Sequence, residues 1–208
     1  MQSMTAINAV ALLVTQATGH QLPSLVTISG GTRAGKSFLA DALLSGLKRK
    51  RIQATIISLD DYFRDIDDPQ LPHDEAGCVS FDDLASYHGE EFVSHVTSLV
   101  DGSLIIGPSY NKVNNKRNEH QKTLLPNEVI IAEGLFAGML LADAPNAMHL
   151  FVDTDQATCL ERKIISDQAF YRASRNDAES NFREKIAPFW QTRIMPQMNF
   201  ANIVITTT

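Results

Sequence analysis

The segment Gly30-Gly31-Thr32-Arg33-Ala34-Gly35-Lys36-Ser37 fits G-x-x-x-x-G-K-[ST] at every fixed position, and no other feature of the 208-residue chain restricts its folding as strongly. A short β-branched run, Ser24-Leu25-Val26-Thr27-Ile28-Ser29, precedes it, and a helical pattern runs from Lys36 to Lys50. Glycines let the backbone curl until consecutive N–H groups face one point, and the helix start adds its positive end. A strand, a glycine loop and a helix in that order make a cradle for phosphate oxygens. The segment therefore reads as a site for a nucleoside triphosphate, with ATP expected. Lys36 would reach the β- and γ-phosphates, and the Ser37 hydroxyl would coordinate Mg²⁺.

Further apolar, β-branched runs fall at 52–58, 103–107, 128–132, 147–152 and 201–206, with helical patterns at 83–100, 156–166 and 177–190 between them. Alternation of this kind, with strands apolar on both faces, predicts a parallel sheet covered by helices on each side. The fold class is α/β, a P-loop NTPase with a lid, and the whole of 1–208 is one domain. Met4, Ile7, Val10, Ala11, Val14 and Ala17 recur at helical spacing, so residues 1–22 are expected to form an N-terminal helical extension. Two polar, turn-rich stretches, 64–80 and 109–126, are long enough to be binding loops or lids.

Eighteen Lys and Arg stand against 24 Asp and Glu, a formal net charge of −6, which argues against a general nucleic-acid or membrane-surface binder. Cys78 and Cys159 have no C-x-x-C partner, and the six histidines show no ligand spacing, so neither a disulfide framework nor a zinc site is indicated. With no run of 18 apolar residues and no basic leader, the protein is expected to be cytoplasmic. Half of the carboxylates, 12 of 24, lie between Asp60 and Asp101 beside one basic residue, Arg64. Most read as a solvated face.

Two carboxylates stand apart. Asp60 follows Ile57-Ser58-Leu59 at the carboxyl end of a strand, where open α/β sheets bind ligands, and it suits the orientation and deprotonation of an attacking hydroxyl. Its neighbour Asp61 would point elsewhere. Glu133 follows Val129-Ile130-Ile131-Ala132, and burial of its charge is costly unless a cation such as Mg²⁺ is near. Asn111-Lys112-Val113-Asn114 lacks the carboxylate that reads guanine, and Gly134 after Glu133 argues against a helicase or motor.

With these residues the chain resembles the uridine kinase and phosphoribulokinase group of P-loop kinases, nearest to the uridine/cytidine kinases. The resemblance runs from about Leu25 to Ile205 through residues 30–37, Leu59-Asp60-Asp61-Tyr62-Phe63-Arg64, Ser80-Phe81-Asp82, Pro108-Ser109-Tyr110 with Arg117, Ile130 to Leu135, and Leu150 to Asp155 leading to Leu160-Glu161-Arg162-Lys163. It implies that Asp60 activates a ribose 5′-hydroxyl, that Asp82 holds ribose hydroxyls, that Tyr110 lies beside the base and that Arg117 closes that motif. It also implies that Glu133 sits near Mg²⁺ and that Lys163 takes the place of an arginine opening a basic lid over about 166–177. The chain departs from the family pattern at Asn115, where a base-reading histidine is usual. It departs again at Asp83-Leu84-Ala85, in place of His-Pro-Asp, and at Ser166-Asp167 in the lid. Arg172 and Arg175 are the nearest substitutes for the lid arginines, and Arg162 reads as structural. The expected activity is ATP- and Mg²⁺-dependent phosphorylation of a nucleoside, uridine or cytidine first. Alternatives are a related kinase acting on ribosylnicotinamide, pantothenate or a sugar phosphate, and an ATP-binding regulatory protein. The partners implied are ATP and a small molecule, neither nucleic acid nor membrane, with room for a homo-oligomer.

Overall fold

A computed structural model describes residues 2–4, 22–73, 77 and 79–207. Strands β1 (Gln2–Met4), β2 (Leu25–Gly30), β3 (Ala54–Ser58), β6 (Val129–Glu133), β7 (Ala147–Thr154) and β8 (Ile203–Thr207) form one parallel sheet in the order β1-β8-β7-β2-β6-β3. A separate antiparallel hairpin pairs β4 (Ile105–Asn111) with β5 (Lys116–Leu124). Strand β2 is buried along its length, between β6 (Ile28 opposite Glu133) and β7 (Gly30 opposite Val152). After β2 the chain lays β3 and β6 on one side of it and β7 and β8 on the other, so β2 ends at the switch point where sheets of this kind bind ligands.

Alternate residues of each strand face opposite sides of the sheet, which divides the core in two. Val26, Ile28 and Ile131 pack with Leu39, Leu43 and Leu47 of α1 (Lys36–Arg49) and with Phe182 and Trp190. Leu25, Ile57 and Ile130 pack on the other side with Phe92, Val96 and Leu99 of α2 (Gly89–Val100) and with Phe151. The remaining regular helices are α3 (Ala137–Leu140), α4 (Gln156–Tyr171) and α5 (Arg175–Asn181), the last begun by a capping box in which Ser174 and Asp177 bond reciprocally.

The chain from Phe182 to Phe200 stays helical but changes pitch. Wide π turns at Phe182–Ile186 and Trp190–Ile194 each precede a proline, Pro188 and Pro196. A proline donates no backbone hydrogen bond and its ring presses on the carbonyl four residues back, at Glu184 and Thr192, so each turn opens instead of breaking.

Several expectations are corrected. Of the N-terminal helix, Gln2–Met4 is instead a strand beside β8, supplying a partner to what would otherwise be an open edge; residues 5–21 lie outside the described residues, as does Cys78. The run 103–107 does not join the parallel sheet. It enters the hairpin, and stretch 109–126, expected as a loop, supplies the other strand. Pro108 falls where the hairpin register shifts, between Gly107 and Ser109, a position that asks no N–H of it. The pattern at 83–100 divides into a short turn, Leu84–Ser86, capped by the Asp83 side chain, and α2. The helical pattern expected over 156–166 is longer: α4 continues to Tyr171, with Ser166 and Asp167 buried.

Candidate active site

A cleft of about 810 Å³ opens at the carboxyl ends of β2, β3 and β6. Residues 30–37 form its floor. Gly35 stands at the N-cap of α1 with φ 106 and no side chain bonds to the helix start, so the first N–H groups of α1 face the cleft without a capping oxygen. A Cβ on Gly30 would come within 2.5 Å of the Val152 carbonyl, and one on Gly31 within 2.2 Å of the Trp190 ring. The loop thus lies pressed between β7 and the C-terminal helical stretch, a position open only to glycine. The Thr154 hydroxyl donates to the Ala34 carbonyl (2.8 Å), and Lys36 Nζ donates to the Gly31 carbonyl (2.9 Å). Thr32, Arg33, Gly35, Lys36 and Ser37 all line the cleft.

Asp60 follows β3 in a turn begun by the Ser58 hydroxyl, which accepts from the Asp60 N–H at 3.4 Å. Burial pushes the Asp60 carboxyl up, but the cations Lys112, Lys36 and Arg33 outweigh burial and hold it below the usual carboxylate range. Glu133 closes β6 at 6% exposure, with the Ser58 hydroxyl donating to its Oε1 at 2.6 Å. Burial and the charge of Asp60 raise its carboxyl, against Lys36 and hydrogen bonds from Ser58 and Ser37. Asp82 accepts a hydrogen bond from the Thr32 hydroxyl (2.8 Å), which ties the segment before α2 to the phosphate loop. Burial raises Asp82 as well, aided by Asp60. Of these three cleft carboxylates, Asp60 is therefore pressed toward the ionised form and Glu133 and Asp82 away from it, a separation typical of sites that assign carboxyl groups different tasks.

Ser37 and Glu133 present oxygen donors side by side, the ligand chemistry that suits Mg²⁺, which keeps several waters and shares substrate phosphates. The glycine cradle and Lys36 suit the triphosphate. We expect Glu133→Gln to raise the Mg²⁺ concentration needed for half-maximal activity by about tenfold, leaving the fold intact by circular dichroism.

Tyr110 and Asn115 line the cleft. Tyr110 belongs to an aromatic wall that the sequence did not disclose: Phe63 stacks on Tyr87 (4.3 Å between centroids, 27°) and touches Phe81 and Tyr110 at 5.6 and 5.2 Å. Lys163 lines the cleft, paired with Asp167 at 2.6 Å. Lys112, Lys185 and Arg162 are further lining cations. Arg162, read as structural, reaches the Arg33 and Ala34 carbonyls of the phosphate loop (3.4 and 3.3 Å).

Three expected site residues are not brought to the cleft. Arg117 is 6% exposed in its side chain, bound to Glu91 (2.5 Å) and Glu119 and lying over the Tyr62 ring, so it fastens the hairpin to α2. Arg172 ends α4 in the left-handed conformation, exposed and outside the cleft lining, and Arg175 pairs with Glu161. Trp190 is buried, whereas Phe200 is 46% exposed.

The family model described as phosphoribulokinase / uridine kinase matches residues 25–208. The chain belongs to this family. Relatives within it include uridine-cytidine kinase 2-B of Danio rerio, 26% identical over 90% of this chain and 75% of the relative. A uridine kinase of Shewanella piezotolerans is 28% identical over 87% of this chain and 86% of the relative. Among solved structures, a protein from Silicibacter sp. TM1040 named as a fructose transport system kinase superposes with a TM-score of 0.70 at 17% identity, covering 97% of this chain and 98% of that one. A D-glycerate 3-kinase from Cryptococcus neoformans superposes with a TM-score of 0.57 at 14% identity, covering 94% and 87%. At those identities the superpositions show a shared fold. The chain is thus a P-loop kinase by family, and among its described residues no helix is long and apolar enough to cross a membrane.

Proposed function

We propose that the protein transfers the γ-phosphate of ATP to the 5′-hydroxyl of a nucleoside, uridine or cytidine foremost, in the presence of Mg²⁺. The observation that carries this reading is one cleft lined by the phosphate loop, by Asp60 and by the aromatic wall of Phe63, Tyr87 and Tyr110. The wall offers a planar base a stacking surface, Asp82 is placed for ribose hydroxyls, and Asn115 offers an amide donor and acceptor in place of an imidazole.

The loop N–H groups and Lys36 hold the triphosphate, with Ser37 and Glu133 as the metal's protein ligands; the metal supplies positive charge against the γ-phosphate. Asp60 orients the acceptor hydroxyl and takes its proton as the hydroxyl oxygen bonds to the γ-phosphorus and the bond to the β–γ bridging oxygen breaks, leaving ADP. Lys163, Lys185 and Arg162 are the cations lining the cleft from α4 and the stretch after α5, and they offset charge on the moving phosphoryl group. Carboxylate pairing in Asp167 and the position of Arg172 leave the basic lid reduced relative to the family pattern.

The test is ADP release from MgATP with uridine, cytidine, ribosylnicotinamide, pantothenate or ribulose 5-phosphate. Uridine or cytidine is expected to stimulate release and 5′-deoxyuridine, which lacks the accepting hydroxyl, is not. Equal rates with uridine and 5′-deoxyuridine would overturn the reading.

A further inference from the structure

The β4–β5 hairpin sends a cation into the cleft. Lys112, directly after β4, places Nζ 2.6 Å from Asp60 Oδ2 and lines the same cleft. The pair is partly exposed (side chains 54% and 40%), where an ion pair by itself counts for little, but the chain segments that carry the two partners are tied together. Arg117 N–H donates to Asp65 (2.6 Å), Ile66 N–H to the Asn115 carbonyl (3.0 Å), Tyr110 N–H to Asp61 (3.4 Å), and Lys122 pairs with Asp61 (2.5 Å). These four bonds fasten the hairpin to residues 61–66, the chain that follows Asp60. The reach of Lys112 is set by the same scaffold that positions the carboxylate.

We propose that Lys112 is the positioning residue for Asp60: its ammonium takes Oδ2, fixes the carboxylate's orientation and leaves Oδ1 to receive the acceptor hydroxyl. This rests on the reading of Asp60 as the base. The charged and titratable groups facing Asp60 are Lys112 from the hairpin, Lys36 and Arg33 from the phosphate loop and α1, Glu133 from the end of β6, and Asp82 and Tyr87 from the segment before α2. Lys36 turns to the phosphates when the triphosphate is bound, which leaves Lys112 and Arg33 against two carboxylates. An acceptor filling the cleft excludes water and strengthens the pairing at the moment it is used. A lysine in a polar turn gives no such signal in the sequence, since its partner lies 52 residues away.

The experiment compares wild type, Lys112→Met, Lys112→Arg and Lys116→Met, the last removing a hairpin lysine that pairs with Asp65 and Asp67 at the surface. Two readouts are taken: the titration of the Asp60 carboxyl carbon by ¹³C NMR in the protein without nucleotide, assigned with Asp60→Asn, and the pH dependence of kcat/KM for the acceptor. In Lys112→Met the Asp60 midpoint is expected to rise, because the cation that favours the charged form is gone. The acid limb of the rate profile should rise with it, and kcat should fall about tenfold with KM for ATP unchanged. Lys112→Arg should recover most of both, and Lys116→Met should match wild type. An active wild type with an Asp60 midpoint and kcat unmoved by Lys112→Met overturns the proposal alone. A midpoint that moves in a protein that phosphorylates no acceptor overturns the reading of Asp60 as base, and this proposal with it.

Discussion

Asp60→Asn is expected to lower kcat by about 10³-fold while KM for ATP stays within about threefold, because a positioned proton acceptor contributes in that range and Asp60 stands outside the phosphate loop. In barrier terms that is about 4 kcal/mol. The amide keeps the shape and a hydrogen-bond acceptor but cannot take the proton, and it loses the charge that Lys112, Lys36 and Arg33 stabilise. Asn at this site also leaves the Lys112 ammonium beside a neutral group, so the effects of Asp60→Asn and Lys112→Met should fall well short of additive. Steady-state rates against ATP and acceptor, with stability checked by thermal melting, separate loss of chemistry from loss of fold. A fall of kcat under tenfold would remove Asp60 from the base role.

Gly31→Ala is expected to destabilise the fold and weaken ATP binding together. The added Cβ would meet three atoms of the Trp190 ring at 2.2 to 2.8 Å, and Trp190 is buried against Phe182 in the core below the loop. Overfilling a packed site costs about 1–3 kcal/mol, which lowers the Tm by about 2–4 °C per kcal/mol for a chain of this size. The ring cannot move without carrying the π turn it begins, and the loop cannot move without misaiming its N–H groups. In a Trp190→Leu background the same Gly31→Ala change should cost much less, since the obstructing ring is absent. Equal losses in both backgrounds would mean that Trp190 does not hold the loop. The chain has one tryptophan, so its emission reports on the loop directly in wild type.

What could be read ahead of the structure follows the strength of each physical constraint. Residues 30–37 were legible because phosphate binding demands glycines, a lysine and a hydroxyl at fixed spacing. Asp60 and Glu133 were legible because a carboxylate ending an apolar strand is costly without a purpose. The central strands were legible because burial on both faces leaves unbroken apolar runs, as in β2 and β6. Strand β5 was not, since its residues are exposed or half-buried and alternate in no readable way. Its pairing comes from β4 and the ties to residues 61–66, which no local pattern encodes. The same blindness hid Lys112, and it misplaced Arg117, whose spacing fits the family motif while its guanidinium is taken by Glu91 and Glu119. The aromatic wall went unseen because Phe63, Phe81, Tyr87 and Tyr110 come together only through tertiary packing. The length of α4 was missed for another reason: the helical pattern was read only to 166, yet Lys163 and Asp167 bind one turn apart and keep α4 helical past it.

The most direct measurement is ³¹P NMR of the protein with MgATP and uridine or cytidine. Phosphoryl transfer through Asp60 predicts a phosphomonoester resonance that grows in step with ADP, requires the acceptor, and is abolished by Lys36→Ala. ATP that binds but yields no phosphomonoester with any acceptor, or yields only ADP and inorganic phosphate, would contradict it.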